Sequence, residues 1–129
     1  MLKKSLLALL LVVFGNQLAL AGPVHKLGAN AAFQLIQQNP SIFLLDVRTT
    51  QEYQQYRLAG ATLIPLGDLL ARERELPEGR PILVYCEVGH RSAQVADYLA
   101  RRSFDEVYDL QGGIWGWQLR KLPVLKGLP

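Results

Sequence analysis

A single cysteine, Cys86, occurs in the 129 residues of this chain, so no disulfide can form within it. Small exported domains often depend on paired cysteines, and a lone thiol in an oxidising compartment is a liability unless it is buried or used. The sequence also has no run of lysines and arginines and no basic stripe interleaved with aromatic residues. This pattern argues against nucleic-acid binding. Internal repeats and low-complexity segments are absent as well, and the length allows one domain.

The first 21 residues are predicted to be a secretory signal peptide. A short basic start precedes an apolar stretch from Ser5 to Gly15, and Ala19-Leu20-Ala21 supplies the small residues that a signal peptidase recognises. We expect cleavage between Ala21 and Gly22, which leaves residues 22–129 as the mature domain, with no membrane association. An uncleaved membrane anchor is the alternative, but the apolar stretch is short for a bilayer span of about 20 residues.

The charge balance follows from this prediction. The full chain has a formal net charge of +3, which includes the basic residues Lys3 and Lys4. Without these two residues the mature domain is close to neutral. The basic character of the full chain therefore does not indicate an acidic partner.

Short apolar runs alternate with helical patterns along the rest of the chain. Residues 22–28 are expected to form an extended leader. The predicted strands cover 42–45, 61–64, 82–85 and 107–110, and the predicted helices cover 30–38, 50–56, 66–75, 92–102 and 114–121. This alternation predicts an α/β domain with a mostly parallel sheet.

Two predicted strands end in polar groups. Asp46-Val47-Arg48 follows one strand, and Cys86 follows another. Parallel sheets place ligands beyond the carboxyl ends of their strands. Cys86 starts a short loop with one glycine and one arginine before a helix, and backbone N–H groups at a helix start favour an ionised thiol or a sulfur-borne anion. A buried and inert cysteine is the alternative.

Four motifs occur in an order and spacing that resemble the single-domain rhodaneses, which are thiosulfate sulfurtransferases. They are Asp46-Val47-Arg48 with Glu52-Tyr53; Gly60-Ala61 before Ile64-Pro65-Leu66; Val84-Tyr85-Cys86 with Gly89 and Arg91-Ser92; and Leu110-Gln111-Gly112-Gly113-Ile114-Trp115. The resemblance covers nearly all of residues 22–129. It implies a three-layer domain with a central sheet of about five strands flanked by helices. Together with the signal peptide, it suggests a periplasmic member of the family.

The resemblance also implies a function. Cys86 would take the outer sulfur of a donor such as thiosulfate or a persulfide, and a thiol or cyanide would then remove it. No metal and no organic cofactor are implied. The loop that would surround the transferred sulfur and bind the substrate consists of Glu87, Val88, Gly89, His90, Arg91 and Ser92. We expect the backbone N–H groups from Glu87 to Ser92 to point inward and stabilise the sulfur anion.

Several site residues have more than one interpretation. Arg91 either binds an oxyanion or locks the loop by bonding carbonyl groups. Asp46 and Arg48 are expected to form a supporting structural pair, with substrate binding as the alternative. His90 is expected to be an exposed loop residue rather than a general base, and His25 is too isolated to suggest a metal site.

Glu87 departs from the family pattern, because a basic, small or neutral residue is commoner directly after the nucleophile. A carboxylate at this position disfavours an adjacent thiolate and repels a dianionic donor. We therefore expect Glu87 to weaken thiosulfate binding.

Three other functions are compatible with parts of the pattern. Dual-specificity phosphatases of related fold have five residues between the cysteine and the arginine, whereas four lie between Cys86 and Arg91. The same spacing, together with the export signal, disfavours an arsenate reductase. A non-catalytic module that senses oxidants through its thiol is a third alternative.

Overall fold

The computed structural model describes residues 22–129, and the predicted signal peptide lies outside the described residues. In chain order the elements are β1 (Val24–Leu27), α1 (Ala29–Gln38), β2 (Phe43–Asp46), α2 (Thr50–Gln55), β3 (Tyr56–Arg57), β4 (Thr62–Leu63), α3 (Leu69–Arg72), β5 (Ile82–Tyr85), α4 (His90–Ala100), β6 (Val107–Leu110), α5 (Gly113–Leu119) and β7 (Leu125–Lys126). None of the helices within 22–129 has the length and apolar character that a membrane span requires.

A five-stranded sheet in the order β1-β6-β5-β2-β4 forms the centre of the domain, and all of its paired strands run parallel. The predicted α/β architecture with about five strands is therefore confirmed. β5 lies in the middle of the sheet, and all four of its residues are buried. Its continuous apolar run is the pattern expected for a strand that is covered on both faces.

Alternate residues of β5 pack into two separate cores. Ile82 and Val84 face a core with α3 and α4. Leu83 and Tyr85 face a second core with α1 and α5. This alternation follows from the two-residue period of a strand, and it produces a sheet between two helical layers. Cys86 continues the alternation and lies on the α4 side.

The sequence predictions differ from the structure in several places. The extended leader contains an edge strand, β1, which pairs with β6 from Val24 opposite Val107 to Leu27 opposite Leu110. Its two middle residues are exposed, so it has no apolar run that would predict a strand. The antiparallel pairing of β3 with β7 was not predicted either, because two-residue strands are too short to show a periodic pattern.

The third difference is the helix predicted over 66–75, which is wrong as a continuous helix. The chain forms a 3-10 turn at Leu66–Asp68, one α-helical turn, α3, and another 3-10 turn at Glu73–Glu75. Leu69 is buried, but Leu70 is 73% exposed. One buried leucine does not provide the apolar stripe that would stabilise a longer helix.

The start of α4 matters most for the site. The helix was expected to begin at Ser92, but it begins at His90, directly after Gly89. Gly89 is the N-cap residue and has a φ of 107°, in the region that favours glycine. The first turn of α4 is therefore part of the loop that follows Cys86.

Candidate active site

Cys86 lies at the carboxyl end of β5 with its sulfur under the first turn of α4. Its Sγ accepts hydrogen bonds from the backbone N–H of Gly89 at 3.1 Å and from that of Ser92 at 3.3 Å. The thiol can also donate to Ser92 Oγ at 3.5 Å. Two N–H groups and the positive end of a helix favour negative charge on this sulfur. The residue is only 1% exposed, so the loop encloses its sulfur.

The β6–α5 turn anchors the other side of the loop. The N–H of Ile114 donates to the carbonyl of Cys86, and the N–H of Trp115 donates to that of Glu87, each at 3.0 Å. The C=O and N–H of a trans peptide point in opposite directions. These bonds therefore turn the N–H groups of Glu87 and Val88 away from α5.

Gly113 allows this anchoring because it has no side chain. A Cβ at this position would lie 2.2 Å from the carbonyl oxygen of Glu87 and 2.6 Å from the nitrogen of Val88. Its φ of 62° also lies in the left-handed region. Steric contact and backbone conformation thus both require glycine at the start of α5.

Arg91 locks the loop through a carboxylate rather than through carbonyl groups. Its two terminal nitrogens donate to the two oxygens of Glu52, both at 2.8 Å. Glu52 is held in turn by a capping box with Thr49 at the start of α2. The hydrogen bond from Arg91 lowers the pKa of Glu52 to about 2. The guanidinium of Arg91 therefore joins α2 to α4 instead of pointing freely over the sulfur.

Asp46 and Arg48 form a fully buried ion pair at the end of β2. Arg48 donates through Nε and a terminal nitrogen to the Asp46 carboxylate, with the shortest contact at 2.8 Å. Burial alone would lower the pKa of Arg48, but the hydrogen bond and negative charge of Asp46 outweigh it and raise the pKa. The same terminal nitrogen donates to the carbonyl of Tyr56 at 2.6 Å. Neither side chain of the pair reaches solvent.

The Glu87 carboxylate accepts hydrogen bonds from the side chains of Tyr56 and Arg48. The Tyr56 hydroxyl donates to one carboxylate oxygen at 2.5 Å, and Arg48 donates to the other at 3.2 Å. The hydrogen bond to Glu87 is the main reason that the pKa of Tyr56 is raised. These two hydrogen bonds hold the Glu87 carboxylate in one orientation. Its side chain is still 27% exposed, so the carboxylate is partly open to solvent.

The model of the family described as rhodanese-like domain matches residues 29–120 of this chain. The chain belongs to the rhodanese-like domain family. The matched segment runs from the start of α1 to the residue after α5, so it includes the Cys86 loop and both elements that hold it.

Relatives agree with this assignment. The chain is 29% identical over 102 residues to a sulfurtransferase of Allochromatium vinosum, a match that covers 79% of this chain and 95% of the relative. It is 32% identical over 87 residues to the thiosulfate sulfurtransferase GlpE of Coxiella burnetii, which covers 67% of this chain and 80% of that protein. The crystal structure of a rhodanese-related protein from Thermoplasma volcanium matches with a TM-score of 0.72 and 27% identity, over 78% of this chain and 97% of the other.

Two of the remaining predicted loop residues lie at the surface of this rhodanese-like domain, and the third is buried. Val88 is 48% exposed, and His90 is exposed as well. Ser92 is buried, and its hydroxyl donates to the carbonyl of Gly89 at 3.2 Å. Across residues 22–129, no three His, Cys, Asp or Glu side chains are arranged as metal ligands would be. His25 packs against the Tyr108 ring at a centroid distance of 5.1 Å.

Sequence patterns missed the partners that position the loop. The capping box of Thr49 and Glu52 is visible in the sequence, but its link to Arg91 is not. Gly113 is visible only as part of a turn. No signal in the sequence indicates the contact between Tyr56 and Glu87, because the two residues lie on unrelated segments that the fold brings together.

A buried carboxyl also lies behind the loop. Asp109 of β6 is 3% exposed, and its Oδ1 has no hydrogen-bond partner among the described residues. Burial raises the pKa of Asp109, while the Ser92 hydroxyl and the Lys26 charge partly offset this effect. An unpaired buried oxygen is expected to destabilise the folded state.

Proposed function

We propose that this rhodanese-like enzyme transfers a sulfane sulfur through a persulfide on Cys86. The donor is a sulfane compound such as thiosulfate or a persulfide, and the acceptor is cyanide or a thiol. The observation that carries the proposal is the pair of N–H groups, from Gly89 and Ser92, on the Cys86 sulfur. The sulfurtransferase names of the Allochromatium and Coxiella relatives support it.

The first half of the reaction forms the persulfide. The thiolate of Cys86 attacks the outer sulfur of thiosulfate, a new S–S bond forms, and the original S–S bond breaks as sulfite leaves with the electron pair. No proton moves in this step. The N–H groups that stabilise the thiolate lie at the loop in which the negative terminal sulfur must be held, so the same donors suit both states.

The second half regenerates the enzyme. Cyanide or a thiolate attacks the terminal sulfur, the bond to Cys86 breaks, and the electron pair returns to the Cys86 sulfur as thiolate. Thiocyanate or a new persulfide is released. One thiol is sufficient for this cycle, in agreement with the single cysteine of the chain.

The geometry weighs against the other functions. A phosphatase of this kind needs its arginine to bind the oxygens of the phosphate ester, whereas both terminal nitrogens of Arg91 donate to Glu52. An arsenate reductase would need a similar oxyanion cradle. Oxidant sensing would use the same Cys86 thiol, and the sulfurtransferase names of the relatives favour sulfur transfer over it.

Mass spectrometry of the peptide that contains Cys86 tests the proposal. After incubation with a sulfane donor, we expect a gain of one sulfur atom that cyanide removes with formation of thiocyanate. The Cys86→Ser variant is the matched control and should show neither. Hydrolysis of an aryl phosphate without a sulfur adduct would instead support the phosphatase.

We also propose that the domain acts in the periplasm after removal of residues 1–21. The basic start, the apolar stretch and Ala19-Leu20-Ala21 support this proposal. Expression in a bacterium followed by fractionation and N-terminal sequencing tests it. We expect a periplasmic protein that begins at Gly22, and an uncut chain in the membrane fraction would contradict export with cleavage.

A further inference from the structure

Five charged side chains are connected to the Cys86 loop in two groups. We name them the charged collar: Asp46, Arg48, Glu52, Glu87 and Arg91. One group joins Arg48 to two carboxylates, and the other joins Arg91 to one. The collar therefore has three carboxylates and two guanidinium groups. Its formal charge is negative before the Cys86 thiolate is counted.

Both arginines of the collar are already occupied by protein oxygens. Each terminal nitrogen of Arg91 donates to Glu52 at 2.8 Å. In Arg48, one terminal nitrogen donates to Asp46 and the other to Glu87. Arg48 is also fully buried. Neither guanidinium group therefore offers an uncompensated positive charge to an anionic donor.

Two oppositely charged residues lie on the other side of the loop. Lys26 and Asp109 line the neighbouring cleft next to Gly89 and have opposite charges. His90 lines the same cleft and is exposed. The excess negative charge is therefore not compensated by these groups.

Glu87 is the collar carboxylate that follows the nucleophile directly in sequence. Asp46 has no exposed side-chain surface, and Glu52 is paired through both oxygens with Arg91. Glu87 instead shares Arg48 with Asp46 and takes its second hydrogen bond from a neutral group, the Tyr56 hydroxyl. The Tyr56 bond fixes the carboxylate in direction without neutralising it.

We propose that Glu87 selects the sulfur donor by its charge. The favoured donors carry at most one negative charge, as do organic thiosulfonates and neutral or monoanionic organic persulfides, and dianionic thiosulfate is disfavoured. This inference rests on the proposed function, since it concerns the donor of the same Cys86 reaction. Like charges brought together in a partly desolvated site repel, and the repulsion grows with the charge of the incoming molecule.

A thiosulfonate reacts by the same bond changes as thiosulfate. The Cys86 thiolate attacks the sulfane sulfur, the bond between that sulfur and the sulfonyl group breaks, and a sulfinate leaves with the electron pair. No proton is transferred, and the Cys86 persulfide is identical in the two cases. Methanethiosulfonate and thiosulfate therefore differ by one unit of charge while they load the same intermediate.

The test compares kcat/KM for methanethiosulfonate and for thiosulfate, with cyanide as the common acceptor and thiocyanate as the common product. The ratio of the two values removes any general loss of activity or of folded enzyme from the comparison. We expect Glu87→Gln to shift this ratio toward thiosulfate by about tenfold, the order of effect that one unit charge has beside a dianion in a partly exposed site. The amide of glutamine retains an oxygen that can accept the Tyr56 hydrogen bond.

Glu75→Gln is the matched control, because Glu75 pairs with Arg72 on the exposed surface and the charge change is the same. We expect it to leave the ratio within twofold of the parent. Higher salt should narrow the preference of the parent enzyme through screening. A Glu87→Gln ratio within twofold of the parent, with persulfide still formed on Cys86, would overturn this inference alone. Failure of both donors to form any persulfide on Cys86 would overturn the proposed function with it.

Discussion

Gly113 is the position at which one methyl group should do the greatest damage to the active site. The Cβ of Gly113→Ala would lie 2.2 Å from the carbonyl oxygen of Glu87 and 2.4 Å from its carbonyl carbon. These atoms are backbone and cannot rotate away. An ordinary contact begins at 3.4 Å, so the loop and the start of α5 must separate by about 1 Å.

This separation has an energetic and a kinetic consequence. Alanine in the left-handed conformation of Gly113 costs about 1 kcal/mol. The hydrogen bonds from Ile114 to Cys86 and from Trp115 to Glu87 would lengthen, at about 1 kcal/mol each. We therefore expect a loss of about 3 kcal/mol in the free energy of unfolding. A displacement of about 1 Å at a catalytic group typically lowers the rate by about 100-fold, and we expect that loss in kcat/KM.

Two other glycines provide matched controls. Gly60 has a φ of 79° and Gly116 lies within α5, and no atom lies within 4 Å of a Cβ built at either position. Gly60→Ala should cost about 1 kcal/mol through its backbone conformation alone. Gly116→Ala should stabilise the helix by up to about 1 kcal/mol. Both variants should retain the activity of the parent.

The measurements are urea unfolding and cyanide-dependent thiocyanate formation. A Gly113→Ala variant with kcat/KM within threefold of the parent would refute the argument that this close approach positions the loop. Loss of activity in Gly60→Ala to the same extent would also refute it, because backbone conformation would then be a sufficient cause.

Three further predictions concern other parts of the domain. Burial raises the pKa of Asp109, so protonation of this carboxyl favours the folded state at low pH and that stabilisation is lost as the pH rises. In urea titrations, Asp109→Asn should therefore stabilise the folded protein by about 1 kcal/mol at pH 7 and by much less near pH 3.5. Equal gains at both pH values would contradict this. The pKa of Glu52 is lowered to about 2 from an unfolded value of 4.5, so its ion pair stabilises the fold above pH 4.5 and this contribution is lost as the pH falls from 4.5 to 2. Glu52→Gln should lower the free energy of unfolding by about 1 kcal/mol at pH 7 after solvent screening, and the gap between variant and parent should shrink as the pH approaches 2. A gap that stays constant with pH would argue against the ion pair. Trp117 is 3% exposed and Trp115 is 55% exposed, so thermal and urea unfolding should show a loss of about 3–5 kcal/mol for Trp117→Ala and less than about 1 kcal/mol for Trp115→Ala; similar losses in both would contradict this burial argument.

Local patterns predicted the features that local forces control. The strands at 82–85 and 107–110 have the predicted bounds. The apolar run at 82–85 is the pattern expected for a short strand that is covered on both faces. Thr49 and Glu52 have the spacing of a capping box in the sequence, and the structure forms that box at the start of α2. Within the loop, the order of Cys86, Gly89 and Arg91 predicted a thiol at a helix start, and the Cys86 sulfur accepts hydrogen bonds from the N–H groups of Gly89 and Ser92.

Features that depend on distant pairing could not be predicted in this way. β1 has a half-polar sequence and exists because β6 provides its hydrogen-bond partners. The helix expected over 66–75 breaks because Leu69 faces the core while Leu70 faces solvent, and this outcome depends on where α4 lies. The periodicity of the sequence contains no information about the β1–β6 pairing or about the position of α4.

By itself, the sequence determined the α/β architecture, the single thiol and its place at the end of the central strand. Burial of apolar runs and the chemistry of cysteine act over a few residues, so these features can be read from short segments. The tertiary structure alone decided what surrounds the thiol: α5 anchors the loop carbonyls, Arg91 is bound to Glu52, and Glu87 is held by Tyr56 and Arg48. These contacts join residues on separate segments, and only the fold brings their hydrogen-bonding groups within reach of one another.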